Sequence, residues 1–171
     1  MFEEIGIFQF DSVQRDKFKS GELPKFWAKQ YPQIFDELDL ELAIHQPNYH
    51  FLEWLAAILL FNSTGYFSLL EQYEFKRHER KQKLFKEIVS PDVLDVINST
   101  SIQCPDLFVY SPDRSDWYFC EVKGPGDRLR PVQKDYFEKL SVASGKAIRI
   151  VKLKKQKDNK LFQRTAKNRA R

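Results

Sequence analysis

An α/β fold is what this chain predicts, and three segments carry the prediction. Asp106–Tyr110 and Trp117–Lys123 are rich in aromatic and β-branched residues, and Ser111-Pro112-Asp113-Arg114-Ser115-Asp116 between them is a run of turn residues. Together they read as a β-hairpin. Residues 129–142 follow, with Val132, Tyr136 and Leu140 at i, i+4 and i+8, the buried stripe of a helix. Ser144-Gly145 stops that helix, and Ala147–Leu153 alternates as a final strand.

The rest of the chain reads as mainly helical. Residues 1–46 scatter apolar positions among charges, with turn signals at Gly21, Pro24 and Pro32. One or two short helices are expected there, including part of Gln33–Leu42, forming an N-terminal helical extension. Asn48 can cap a helix from about Tyr49 to Phe61, which Asn62-Ser63-Thr64-Gly65 ends. Tyr66–Val89 reads as mainly helical. Its middle, Lys76-Arg77-His78-Glu79-Arg80-Lys81-Gln82-Lys83, is a solvated helix face or a phosphate contact. Ser90 caps a further short helix through about Ile97, with Pro91 in the first position. Asp127 can cap the helix that starts at Leu129.

Composition sets bounds on class and partners. A chain of 171 residues with 42% hydrophobic content fits one domain with a sizeable core. No basic segment followed by an apolar run opens it, and the longest apolar run, Trp54–Phe61, is far too short to span a bilayer. A cytoplasmic protein is expected, nucleoid-associated in a bacterium, with Cys104 and Cys120 as reduced thiols and no membrane partner. The net charge of +4 is uneven. Residues 152–171 hold nine Lys/Arg and one Asp, a local +8, so the other 151 residues sum to +4 − 8 = −4. Such a tail, including Lys152, Lys154 and Lys155, suits a polyanion; a solubilising end is the alternative.

The chemistry concentrates at one end of the hairpin. With the turn centred between Asp113 and Arg114, Tyr110 faces Trp117 and Asp106 faces Glu121. Directly opposed side chains have Cβ atoms roughly 4.5–5.5 Å apart, so the two carboxylates repel unless a proton or cation intervenes. Strand alternation puts Lys123 on the same face as Glu121, while Leu107, Val109, Cys120 and Val122 face a core. Mg²⁺ or Mn²⁺, with a preference for oxygen ligands, resolves the repulsion. A solvated strand end with a cross-strand Lys–Asp pair is the alternative. Upstream, Glu53 is the one charge within Phe51–Phe61. An ionised acid in an apolar helix is a further site candidate, or a first-turn residue favoured by the helix dipole. Glu71 and Glu74 are its rivals. Arg128 and Arg130 can meet phosphates or pair with Asp127 or Glu138.

Pro105-Asp106 and Glu121-Val122-Lys123, continued by Gly124-Pro125-Gly126-Asp127-Arg128-Leu129 and Gln133, resemble the VRR-NUC (virus-type replication-repair nuclease) branch of the PD-(D/E)XK nucleases. The strong resemblance covers about residues 103–153, with a weaker one around Glu53. It implies a restriction-endonuclease-like core: a small mixed sheet flanked by helices, over residues 47–153, followed by a basic, flexible tail at 154–171. It implies that Asp106, Glu121, the Val122 carbonyl and Glu53 hold metal. Lys123 would assist the attacking water, and Gln133 would support the site. Family members cut flapped or branched DNA, and short ones resolve four-way junctions as dimers, so DNA is the implied partner and a homodimer an implied assembly. A non-catalytic DNA-binding subunit is the other reading.

Overall fold

The computed structural model describes residues 1–70, 73–74 and 78–156. Twelve elements follow one another: β1 (Phe2–Phe10), α1 (Ser12–Lys19), α2 (Glu22–Gln30), α3 (Glu37–His45), α4 (Phe51–Thr64), β2 (Phe67–Leu70), α5 (Glu79–Ile88), α6 (Pro91–Asn98), β3 (Leu107–Tyr110), β4 (Trp117–Lys123), α7 (Pro131–Ser144) and β5 (Ile148–Lys155). The strands form one mixed sheet in the order β1-β5-β4-β3-β2. β1, β5 and β4 run parallel, and β3 and β2 continue the sheet antiparallel.

Helices cover both faces. On one side Leu107, Val109, Tyr118, Cys120, Val122, Val151 and Leu153 pack against α1–α4, through Phe18, Trp27, Ala43 and the apolar side of α4. On the other, Phe108, Tyr110, Phe119 and Ile148 meet Phe85 of α5, Val93 of α6 and Tyr136, Phe137 and Leu140 of α7. The hairpin is therefore buried on both faces: the face of Leu107, Val109, Cys120 and Val122 expected as core, and the face of Phe108 and Phe119 that leads to the acids. That explains why aromatic residues occupy the alternate positions of β3 and β4. The acids sit at the rim of the second face, where the core stops.

The hairpin register is the expected one: Tyr110 pairs with Trp117 and Leu107 with Cys120, which brings Asp106 opposite Glu121. Gly145 ends α7 in the left-handed conformation, and Ser90-Pro91 starts α6. Cys104 and Cys120 are both free and buried. Among the described residues no helix is long and apolar enough to cross a membrane.

Several expectations need correction. The N-terminal segment does contain helices α1–α3, but it opens with a strand, β1, paired along its length with β5. Its alternation is broken by a register shift between Glu4 and Gly6, so the pattern is illegible without the partner strand. Phe67–Leu70 is a strand rather than part of a helix, because pairing with β3 satisfies its backbone. α4 starts after His50, whose φ of 69° marks the boundary, and not at Asn48. α7 begins at Pro131, two residues late, and Val132 is 60% exposed while Tyr136 and Leu140 are buried. β5 extends to Lys155, so Lys154 and Lys155 belong to the strand rather than to the tail. The remainder of the tail, 157–171, lies outside the described residues, as do Glu71 and residues 75–77.

The largest correction concerns Lys81. Expected on a solvated face, it is 1% exposed and donates to the Leu70 carbonyl and to Asp39 of α3, itself 4% exposed. One residue earlier, Arg80 donates 2.8 Å to Asp36, which caps α3. Half-burial would raise the Asp36 carboxyl, but the Asp39 backbone N–H and Arg80 hold it down at about 2. Two acids of α3 thus fasten the N-terminal helices to the start of α5.

Candidate active site

The site lies where β3 begins and β4 ends, at the sheet edge shared by the carboxyl ends of β4 and β5. Strand geometry brings Asp106 and Glu121 together, and backbone bonds fix them. The Val122 N–H donates 2.7 Å to Asp106 Oδ2, and the Asp106 N–H reaches Glu121 Oε2 at 3.4 Å. Glu121 is 3% exposed. Lys123, two residues on and on the same face, donates 2.7 Å to Glu121 Oε1. From α7, Gln133 Nε2 donates to the same oxygen at 3.3 Å, while its own Oε1 accepts from the Arg130 backbone N–H. The amide is thereby held in one orientation between the helix start and the acid.

The loop after β4 explains the glycines of the motif. A Cβ on Gly124 would lie 2.7 Å from Leu52 Cδ1 of α4 and 2.9 Å from Asp127 Oδ2, so no larger residue fits without displacement. Gly126 has φ +83°, a conformation open to glycine. Asp127, expected to cap the helix, instead accepts 3.0 Å from the Gly124 N–H and closes the turn. Arg130 and Gln133 take over the helix start.

Behind Asp106 a buried polar shelf sets the approach of Pro105. The Tyr73 hydroxyl donates 2.7 Å to the Pro105 carbonyl, the Cys104 N–H donates to Glu74, and Cys104 Sγ meets the Tyr136 hydroxyl at 3.3 Å. Burial, with Glu74 adding to it, pushes the Cys104 thiol up, so it acts as a packing group and not as a nucleophile. Sequence reasoning missed Tyr73 and Tyr136 in this role. Both lie about thirty residues from Cys104 and Pro105 in the chain, beyond any local pattern.

Charge is out of balance here. Burial raises the Asp106 carboxyl well above the usual carboxylate range, and the charges of Glu121 and then Glu53 raise it further. The Val122 N–H and Lys123 pull the other way, and burial prevails. Two carboxylates face one ammonium, with a third acid adding its field. A donor set of hard oxygens short of positive charge fits a small divalent cation. Among the described residues no three His, Cys, Asp or Glu side chains converge into a metal-holding group, and the charge of Glu53 acts on Asp106 alongside that of Glu121.

The expected site residues separate into two sets. Asp106, Glu121, Val122, Lys123 and Gln133 are joined by hydrogen bonds. Arg128, Arg130, Lys154 and Lys155 are exposed. Lys152 is paired in register with Lys123 on the neighbouring strand, and its ammonium meets Glu4 of β1. The expected pairings of Arg128 and Arg130 with Asp127 or Glu138 are not among the ion pairs of the described residues; the Arg130 side chain instead reaches Gln133 at 3.4 Å.

Among known families, the VRR-NUC domain model matches residues 47–149, more than half the chain. No curated protein and no solved structure matches.

Proposed function

The chain belongs to the VRR-NUC family, a PD-(D/E)XK-type nuclease domain, and from that premise we propose a Mg²⁺- or Mn²⁺-dependent deoxyribonuclease selective for flapped, branched or four-way-junction DNA. The observation that carries this reading is the pair formed by half-buried Asp106 and buried Glu121, with Lys123 and Gln133 both donating to one Glu121 oxygen.

Asp106, Glu121 and the Val122 carbonyl are the ligands assigned to the metal, with Glu53 raising the local negative potential or serving through water. The ion would supply Lewis-acid stabilisation of charge on the scissile phosphate and ease deprotonation of the attacking water. Gln133 keeps Glu121 from rotating away. Lys123, which donates to Glu121 in this structure, would offer its ammonium to the attacking water or to the phosphate oxygens. Arg128 and Arg130 at the start of α7, with Lys154 and Lys155 at the end of β5, are assigned to backbone phosphates on either side. Lys152 contributes there only if it leaves Glu4.

The test is cleavage of labelled duplex, single strand, 5′ flap, splayed arm and four-way junction. Each is run with Mg²⁺, Mn²⁺ or EDTA, comparing wild type with Asp106→Ala and Lys123→Ala. Metal-dependent cutting lost in both variants is expected. Binding without cutting of any substrate would refute catalysis and leave a non-catalytic DNA-binding protein.

A further inference from the structure

Tyr49 has no part in the site as described, yet it lies just before α4, the helix that carries Leu52 and Glu53. Its ring is 68% exposed, while Phe51, two residues later, is buried among Phe10, Phe18 and Trp27. An exposed tyrosine ring leaves a large flat apolar face open to a ligand, with a polar hydroxyl at its tip. Nor is it loosely hung. The Tyr49 N–H donates 3.0 Å to the Gln46 carbonyl, and His50 Nε2 lies 3.2 Å from Gln46 Oε1. The His50 ring stands 6.2 Å from the tyrosine ring. His50 itself holds φ 69°, a conformation that a side-chain-bearing residue adopts at a cost.

Position gives the ring its meaning. Leu52, three residues on, fills the space beside Gly124, and Glu53, four on, acts on Asp106. The Tyr49 end of α4 is therefore the end that borders the carboxylates. Arg128 and Arg130, both exposed, belong to the loop that Gly124 begins. An exposed aromatic side chain thus stands just before the helix end that borders the carboxylates, and the loop on the other side of Gly124 carries exposed guanidinium groups.

We propose that Tyr49 is a stacking platform for an unpaired nucleobase of the DNA strand entering the site. This rests on the nuclease reading and deepens it. A base inside a duplex has both faces covered by its neighbours and has none to offer a side chain. A base at a frayed end, flap or single-stranded arm has one free, and aromatic stacking favours it whatever its identity. Selection for unpaired DNA then arises beside the metal site, without base-edge contacts.

The test separates binding from chemistry. Wild type, Tyr49→Ala and Tyr49→Trp are titrated, in EDTA and then in Ca²⁺, with a 2-aminopurine-labelled splayed arm and a blunt duplex of equal length. Stacking predicts quenching of 2-aminopurine near the junction by wild type and Tyr49→Trp. It predicts loss of that quenching and about 5- to 150-fold weaker binding of the splayed arm by Tyr49→Ala, with duplex affinity unchanged. Equal affinities of wild type and Tyr49→Ala for the splayed arm, or an equal loss on both DNAs, would overturn the proposal. Failure of the nuclease reading has a different signature, because Asp106→Ala then matches wild type in metal-dependent cutting whatever Tyr49 does.

Discussion

Replacing Lys81 by methionine keeps most of the side-chain volume and removes the charge together with its hydrogen bonds. The ammonium is buried against Asp39, also buried, and against the Leu70 carbonyl. Taking away one member of a buried pair leaves the other uncompensated, at about 3–5 kcal/mol. In a domain of this size 1 kcal/mol moves Tm by roughly 2–4 °C, so the expected loss is roughly 6–20 °C. The penalty is pH-dependent, with a defined sign. Burial raises the Asp39 carboxyl from 3.8 to about 6, against the pull of Lys81. A raised folded value means that the acid destabilises the native state as pH climbs through 3.8 to about 6. Without Lys81 the value rises further, so wild type and variant diverge above pH 6. Near pH 5 Asp39 is largely protonated in both, and mainly the lost bond to Leu70 remains. Thermal melts at pH 5 and pH 8 check this. A shift under about 2 °C at both pH values would place Lys81 on a solvated face and refute the reasoning, since surface substitutions stay within about 0.5 kcal/mol.

Two further predictions concern the site. Gly124→Ala is expected to lose about 1–3 kcal/mol in urea melts through overpacking against Leu52, with part of the loss recovered in the Gly124→Ala/Leu52→Ala double variant relative to the sum of the single changes; strict additivity would show that α4 does not press on the loop. Asp106→Asn keeps an acceptor for the Val122 N–H but removes an acid that desolvation and the charge of Glu121 disfavour, so without divalent cations its Tm at pH 8 should exceed that of wild type, while the stabilisation that Mg²⁺ or Mn²⁺ gives wild type disappears. A lower Tm without cations would mean that the carboxylate is paired well enough to stabilise the fold without metal.

The part of this protein written locally in its sequence is the part governed by neighbours in the chain. The pleat places Glu121 and Lys123 on one face, the six-residue turn fixes Asp106 opposite Glu121, and Gly126 and Gly145 mark backbone turns reserved for positive φ. These depend on residues within about fifteen positions of one another. Tertiary structure decided the rest. β1 and β2 became strands only because β5 and β3 offered unpaired edges, and their own alternation is too weak to announce it. Lys81 is charged, and every local rule puts it in water; a distant acid on α3 makes burial tolerable. Gly124 is small because Leu52, over seventy residues earlier, occupies the space its Cβ would need. The chain by itself puts Asp106, Glu121 and Lys123 at one end of the hairpin, and packing between distant segments states how closely they are held, because steric exclusion and desolvation depend on neighbours that only the folded chain brings together.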